Sequence, residues 1–102
     1  MSRSDYDEIF RSVDEDEKRL VGGVIEDCVW LEEQLRKLRK LDHIQINPRN
    51  KSQMRLTPAA RLYKQYATTY ANNIRVLLNV LRKVETTAQD DLLRKLEEFS
   101  LE

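Results

Sequence analysis

The 102-residue chain has one histidine, His43, and one cysteine, Cys28, the two side chains most often used for chemistry at neutral pH. His43 has no nucleophile or metal-ligand partner at a telling spacing, so it reads as a surface or loop residue. Cys28 falls on an apolar line at helical spacing, where a free thiol behaves as a small hydrophobe. Its neighbours Glu26, Asp27, Glu32 and Glu33 are acidic. A reactive thiolate needs the opposite, an electropositive and exposed setting. One Cys and one His exclude an intrachain disulfide and a Cys₄ or Cys₂His₂ zinc site. There is no glycine-rich phosphate loop, His-Glu-x-x-His or Ser-x-x-Lys pattern. The sequence predicts no enzyme and no cofactor, and the acids read as solvated helix faces.

Charge offers a different chemistry, the binding of anions. The formal net charge is zero, from 18 basic and 18 acidic residues, but the charges are segregated. Residues 1–35 carry 4 basic and 11 acidic residues, a net of −7. Residues 36–64 carry Arg36, Lys37, Arg39, Lys40, Arg49, Lys51, Arg55, Arg61 and Lys64 against the single acid Asp42, a net of +8. Residues 65–102 carry a net of −1. Phosphate backbones bind such a cation cluster by counterion release, and Asn47, Asn50, Ser52 and Gln53 add hydrogen-bonding groups suited to phosphate contacts. The competing reading pairs these cations with the acidic N-terminal segment of the same or a neighbouring chain. Lys37 and Lys40 also suit a helix C-terminus.

Three further groups have two readings each. Tyr63, Tyr66 and Tyr70 beside the cations resemble a stacking platform for single strands, but Leu77 and Val80 continue the same line, which favours core packing. Asn73 on that line either pairs in a seam and fixes register or reaches solvent. Gly22, Gly23, Val29 and Trp30 form a second face on their helix. There, small residues under a large aromatic either admit another chain, with Trp30 as an anchor, or are covered by residues 4–13 or 87–99.

These residues are positioned by elements that the periodicity defines. Residues 4–13 predict a short helix capped by Ser4, with Tyr6, Ile9, Phe10 and Val13 on one stripe. Asp14–Glu17 either breaks this helix or opens the next. Residues 15–41 predict a long helix in which Val21, Val24, Cys28, Leu31, Leu35 and Leu38 step 3, 4, 3, 4, 3, a heptad seam. Residues 42–57 form a connector with turn signals at Asn47-Pro48 and Asn50. Within it, Ile44-Gln45-Ile46 and Met54-Arg55-Leu56 alternate as a small ribbon would. Thr57-Pro58 caps and opens a second long helix over 58–84. Its seam is Tyr63, Tyr66, Tyr70, Asn73, Leu77, Val80 and Val84, widened on one side by Ala67, Ile74 and Leu81. Residues 87–99 predict a terminal helix with Leu92, Leu93, Leu96 and Phe99 on one face. The whole is one all-α domain over 1–102: a long antiparallel helical hairpin with short N- and C-terminal helices. Each hairpin helix is about 40 Å long at 1.5 Å per residue. The basic connector is then the tip of the hairpin.

Two Gly, two Pro, 7% aromatic and 35% charged residues fit a helical domain and argue against a sandwich or barrel. A domain this small gains from a second chain, since surface outweighs volume. No apolar run is long enough for a membrane span, and no signal peptide is visible, so the expectation is a cytoplasmic, self-associating protein without membrane contact.

One stretch has a pattern beyond composition. It runs from the Cys28–Leu41 helix through Ile46-Asn47-Pro48, Leu56-Thr57-Pro58-Ala59-Ala60-Arg61-Leu62-Tyr63-Lys64 and Tyr70-Ala71-Asn72-Asn73-Ile74. Over about residues 20–83 this resembles short phage and prophage proteins of Gram-positive bacteria related to terminase small subunits. The resemblance implies a non-catalytic DNA-packaging protein in the bacterial host cell. It would be a homo-oligomer that contacts phage DNA and regulates a large terminase subunit holding the ATPase and nuclease activities. The chain departs from that plan in having no separate helix-turn-helix before the hairpin, because residues 1–19 are too short for one. DNA contact would fall to the basic tip or to an assembled ring. The alternative is a helical adaptor that binds protein only.

Overall fold

In a computed structural model the described residues are 1–42, 44–47, 50–83 and 86–100. His43, Pro48, Arg49, Val84 and Glu85 lie outside them. Helix α1 (Arg3–Ile9) is capped by Ser2, two residues earlier than the sequence suggests. The Ser2 hydroxyl accepts from the Asp5 N–H, and the Asp5 carboxylate accepts from the Ser2 N–H at 2.9 Å. This is a capping box, in which two end groups satisfy each other. The Ser2 backbone bond, ahead of the other contributions, holds the Asp5 carboxyl below its ordinary value. Tyr6, Ile9, Phe10 and Val13 are all buried, but the helix ends at Ile9, four residues before the predicted limit, and Phe10 and Val13 reach the core from the turn that follows.

Helix α2 (Glu15–Leu38) starts on Asp14, whose side chain accepts from the Asp16 N–H. The acid run therefore opens this helix and lies at the positive end of its dipole. Helix α3 (Pro58–Leu81) starts on Thr57 with Pro at the head of the first turn, as predicted. The Thr57 hydroxyl accepts from the Ala60 N–H and donates to the Asp42 carbonyl at 2.6 Å, so one side chain both caps α3 and ties the two ends of the connector. Both long helices end three residues before the predicted limits. Their caps, Arg39 and Arg82, keep right-handed helical dihedrals, and the chain tightens into a turn there without Gly or Pro.

The connector is the ribbon that the alternation suggested. Strands β1 (Ile44–Asn47) and β2 (Asn50–Leu56) pair antiparallel, with Ile44 opposite Leu56, Gln45 opposite Arg55, Ile46 opposite Met54 and Asn47 opposite Asn50. The register shifts between Ile46 and Asn47. Helix α4 (Thr86–Ser100) returns along the hairpin.

Consecutive helices pack on each other and α4 packs on α1, so the four close a ring while α2 and α3 extend beyond it to the ribbon. The result is a rod of 59 × 22 × 20 Å. The main core lies where the four helices meet and includes Tyr6, Phe10, Val21, Ile25, Cys28, Leu77, Leu81 and Leu92. Burying one such large apolar side chain contributes roughly 1.5–3 kcal/mol. The heptad seam of α2 is buried except at half-buried Val24, and Ile25 and Glu32 join it. On α3 the buried line is displaced to Ala60, Ile74, Leu77 and Leu81, and the predicted seam residues Tyr63, Tyr66, Tyr70, Asn73 and Val80 flank it half-buried. Ile74 and Leu81 are the inward residues because α4 also packs on α3. On α4, Ala88, Leu92 and Phe99 face inward while Leu93 is exposed.

Candidate nucleic-acid interface

The ribbon end of the rod gathers the described cations of residues 36–64, but the structure divides them. Arg39 is half-buried. Its guanidinium lies 4.9 Å from the centre of the Phe99 ring and 6.0 Å from that of Tyr63. Its Nε donates to the Tyr63 hydroxyl at 3.1 Å and its Nη1 to the Phe99 carbonyl at 3.5 Å. Arg36 also stands over Phe99, at 5.6 Å. These two arginines clamp the end of α4 onto the hairpin. Lys37 pairs with Glu33 at 3.3 Å, one turn back on α2.

Lys40, Arg55, Arg61 and Lys64 are exposed, and none pairs with an acid among the described residues. They come from the turn after α2, the base of β2 and the first two turns of α3. No acid stands in the first turn of α3, so the positive end of that helix dipole is uncompensated. Lys51 is placed by its backbone within β2, and Arg49 lies outside the described residues.

The tyrosines are committed to the fold. Tyr63 holds Arg39, Tyr66 takes the edge of Trp30 at 5.4 Å, and Tyr70 stands edge-on to Phe99 at 5.8 Å. They pack the hairpin and present no row of open ring faces. Asn73 lines a shallow groove between α2 and α3 with Asp27, Trp30, Tyr66 and Thr69. No protein-family model, curated protein or solved structure matches the chain.

The second predicted face splits in two. Val29 packs against the core, and the Gly22 carbonyl accepts from Arg3 of α1 at 3.2 Å. Gly23 and Trp30 stay open on the side away from α1.

One cluster escaped the sequence reading. Glu32 is 1% exposed, which corrects the expectation that the acids are all solvated. Its carboxylate accepts from the Met1 α-ammonium at 2.6 Å and from the Tyr6 hydroxyl at 2.8 Å. Both donors come from the N-terminal segment, so α2 spacing alone gives no sign of them. Burial pushes the Glu32 carboxyl above its ordinary value, and the two donors pull it partly back. Cys28 beside it is fully buried, and burial first, then the Glu32 charge, pushes its thiol up to about 12. That thiol stays protonated at neutral pH. The buried Tyr70 hydroxyl has no hydrogen-bond partner among the described residues. Among those residues no group of three His, Cys, Asp or Glu side chains is placed to hold a metal ion, and no helix is long and apolar enough to cross a membrane.

Proposed function

We propose that the protein is a non-catalytic, self-associating accessory protein that contacts nucleic-acid phosphates through Lys40, Arg55, Arg61 and Lys64. The observation that carries this reading is the concentration of four exposed cations, none paired with an acid among the described residues, at the ribbon end of the hairpin. The acid run Asp14–Glu17 opens α2 at the far end of the hairpin. Set in the turn after α2, the base of β2 and the first two turns of α3, such cations release counterions from a phosphate backbone. The contact is positional and carries no base readout of its own. The sequence pattern over residues 20–83 makes phage DNA the favoured nucleic acid and a large terminase subunit the favoured protein partner, in the cytoplasm of a bacterial host.

Fluorescence anisotropy with labelled duplex and single-stranded DNA tests the phosphate contact. Four phosphate contacts on duplex DNA give a log–log salt slope of about −3.6. Replacing Lys40, Arg55, Arg61 and Lys64 with Ala should flatten that slope and leave circular dichroism unchanged. Absence of binding to either DNA at low salt sinks the reading. If self-association persists in that case, the protein-only adaptor takes its place.

A further inference from the structure

One side of the α2–α3 layer is covered by α1 and α4, and the other is open. The open side carries Leu20, Trp30, Leu62 and Val76, which are 79%, 49%, 37% and 47% exposed. On α2 the residues Leu20, Gly23, Asp27, Trp30 and Gln34 step 3, 4, 3, 4, and on α3 Leu62, Tyr66, Thr69, Asn73 and Val76 step 4, 3, 4, 3. Each set is a single line along its helix. The two lines meet in the groove where Trp30 stands against Tyr66. A Cβ at Gly23 would meet nothing within 4 Å, so a second helix can approach closely there.

We propose that this face binds a second copy of the chain, antiparallel, with Trp30 at the two-fold axis. Self-complementarity is the first argument. Reversing the α2 line about the level midway between Trp30 and Leu31 brings Asp27 onto the second copy's Gln34, a hydrogen-bonding pair. The same operation carries Leu20 beyond the second copy's α2 to the turn that holds Leu41, which is also exposed. An isologous dimer needs a surface that maps onto itself in this way.

Area is the second argument. From Leu20 to the end of α2 at Leu38 the line spans about 27 Å at 1.5 Å per residue. Across two helices about 10 Å wide each, the face offers roughly 500–550 Å² per copy, or about 1,100 Å² in the dimer. That clears the roughly 1,000 Å² expected of a specific interface.

Charge fixes the orientation. A rod-parallel pair would bring together two connectors of net +8 each. The antiparallel pair lays the Asp14–Glu17 run of one copy beside the other's ribbon, where Arg55 stands opposite Gln45. This inference rests on the self-associating part of the proposed function and not on its nucleic-acid part.

Sedimentation equilibrium of the full chain gives the test, with Trp30 as an internal probe because it is the single Trp. A dimer should form with rising concentration, and the Trp30 emission should shift to the blue along the same curve. Leu20→Glu and Val76→Glu each replace an exposed side chain, so they leave the monomer folded. Each should raise the dimer dissociation constant at least tenfold. Under mild oxidation Asp27→Cys with Gln34→Cys should give a covalent dimer, and either change alone should not, since buried Cys28 does not compete. A monomer at every concentration overturns the proposal, as does a dimer indifferent to both Glu variants. A dimer that the double-Cys variant fails to cross-link overturns the antiparallel arrangement. DNA binding lost with the dimer intact sinks the phosphate reading alone.

Discussion

At the scale of single residues, Glu32 has the largest consequence. Replacing it with Ala would leave a buried ammonium and a buried hydroxyl without their acceptor, at a cost of roughly 3–5 kcal/mol; urea unfolding checks this. Glu32→Gln keeps an acceptor for both donors and should cost less. Its pH dependence has a definite sign. The Glu32 carboxyl is raised in the folded protein above its ordinary value of 4.5. Its protonation therefore favours the fold below about 4.5, and that contribution is lost as pH rises through the folded value. The wild type should thus gain stability relative to Glu32→Gln as pH falls from 7 towards 4.5, read as a difference in Tm. The neighbouring Tyr70 hydroxyl makes a second case. It is buried without a hydrogen-bond partner among the described residues, so Tyr70→Phe removes a group whose desolvation costs about 1–3 kcal/mol and keeps the ring against Phe99. The variant should be at least as stable as wild type; a clear loss of Tm would mean that the hydroxyl has a partner.

The same scale separates structural from functional cations. Arg39 stacks on Phe99 and Tyr63 and holds the α4 carbonyl end, whereas Lys40 beside it is exposed and pairs with no acid among the described residues. Arg39→Ala should cost about 1–2 kcal/mol through the lost cation–π contacts and leave the salt slope of DNA binding nearly unchanged. Lys40→Ala should do the reverse, reducing the slope by about one phosphate contact. A sequence cannot make this distinction, because both residues belong to one basic run. Their fates are set by Phe99, some 60 residues away.

At the scale of elements, Gly22 gives the cleanest prediction. It lies inside α2 with a negative φ, and an added Cβ meets nothing within 4 Å. Gly22→Ala should therefore raise unfolding stability by about 0.5–1 kcal/mol, read from the denaturant midpoint. A loss would mean that something approaches the helix there. The two long helices, the Thr57 cap and the alternation of the ribbon strands were legible because each depends on local spacing, whereas the Asp14 cap and the ribbon register came from the structure. The α1 cap was misplaced at Ser4, because the capping box of Ser2 with Asp5 starts the helix two residues earlier. What stayed hidden depends on which helix covers which face. The α3 seam was read along its tyrosines, and packing by α4 moved its centre to Ile74 and Leu81. Ile25 and Glu32 are buried because α1 widens the covered arc of α2 beyond a two-residue heptad seam.

At the scale of the whole molecule, the basic end has two anionic partners to choose between. In the proposed dimer the acid run Asp14–Glu17 of one copy lies beside the other's ribbon, where phosphates would also bind. The two associations then compete for the same cations, and the competition has a direction that can be measured. Changing Asp14, Glu15, Asp16 and Glu17 to the corresponding amides removes four negative charges while keeping side-chain size and, with Asn at the cap position, the α2 cap. DNA affinity at low salt should rise, by about tenfold or more for a gain near 1.4 kcal/mol, and the gain should fade above about 0.15 M salt as screening shortens the range of both interactions. Dimerisation should weaken over the same salt range, because the acid–base contact that fixes the antiparallel orientation is lost. If the acids instead act only on the α2 dipole, the amide variant loses helix stability and DNA affinity does not move. Anisotropy and sedimentation on one variant series therefore separate a zero net charge that balances two surfaces of one assembly from one that is an accident of composition.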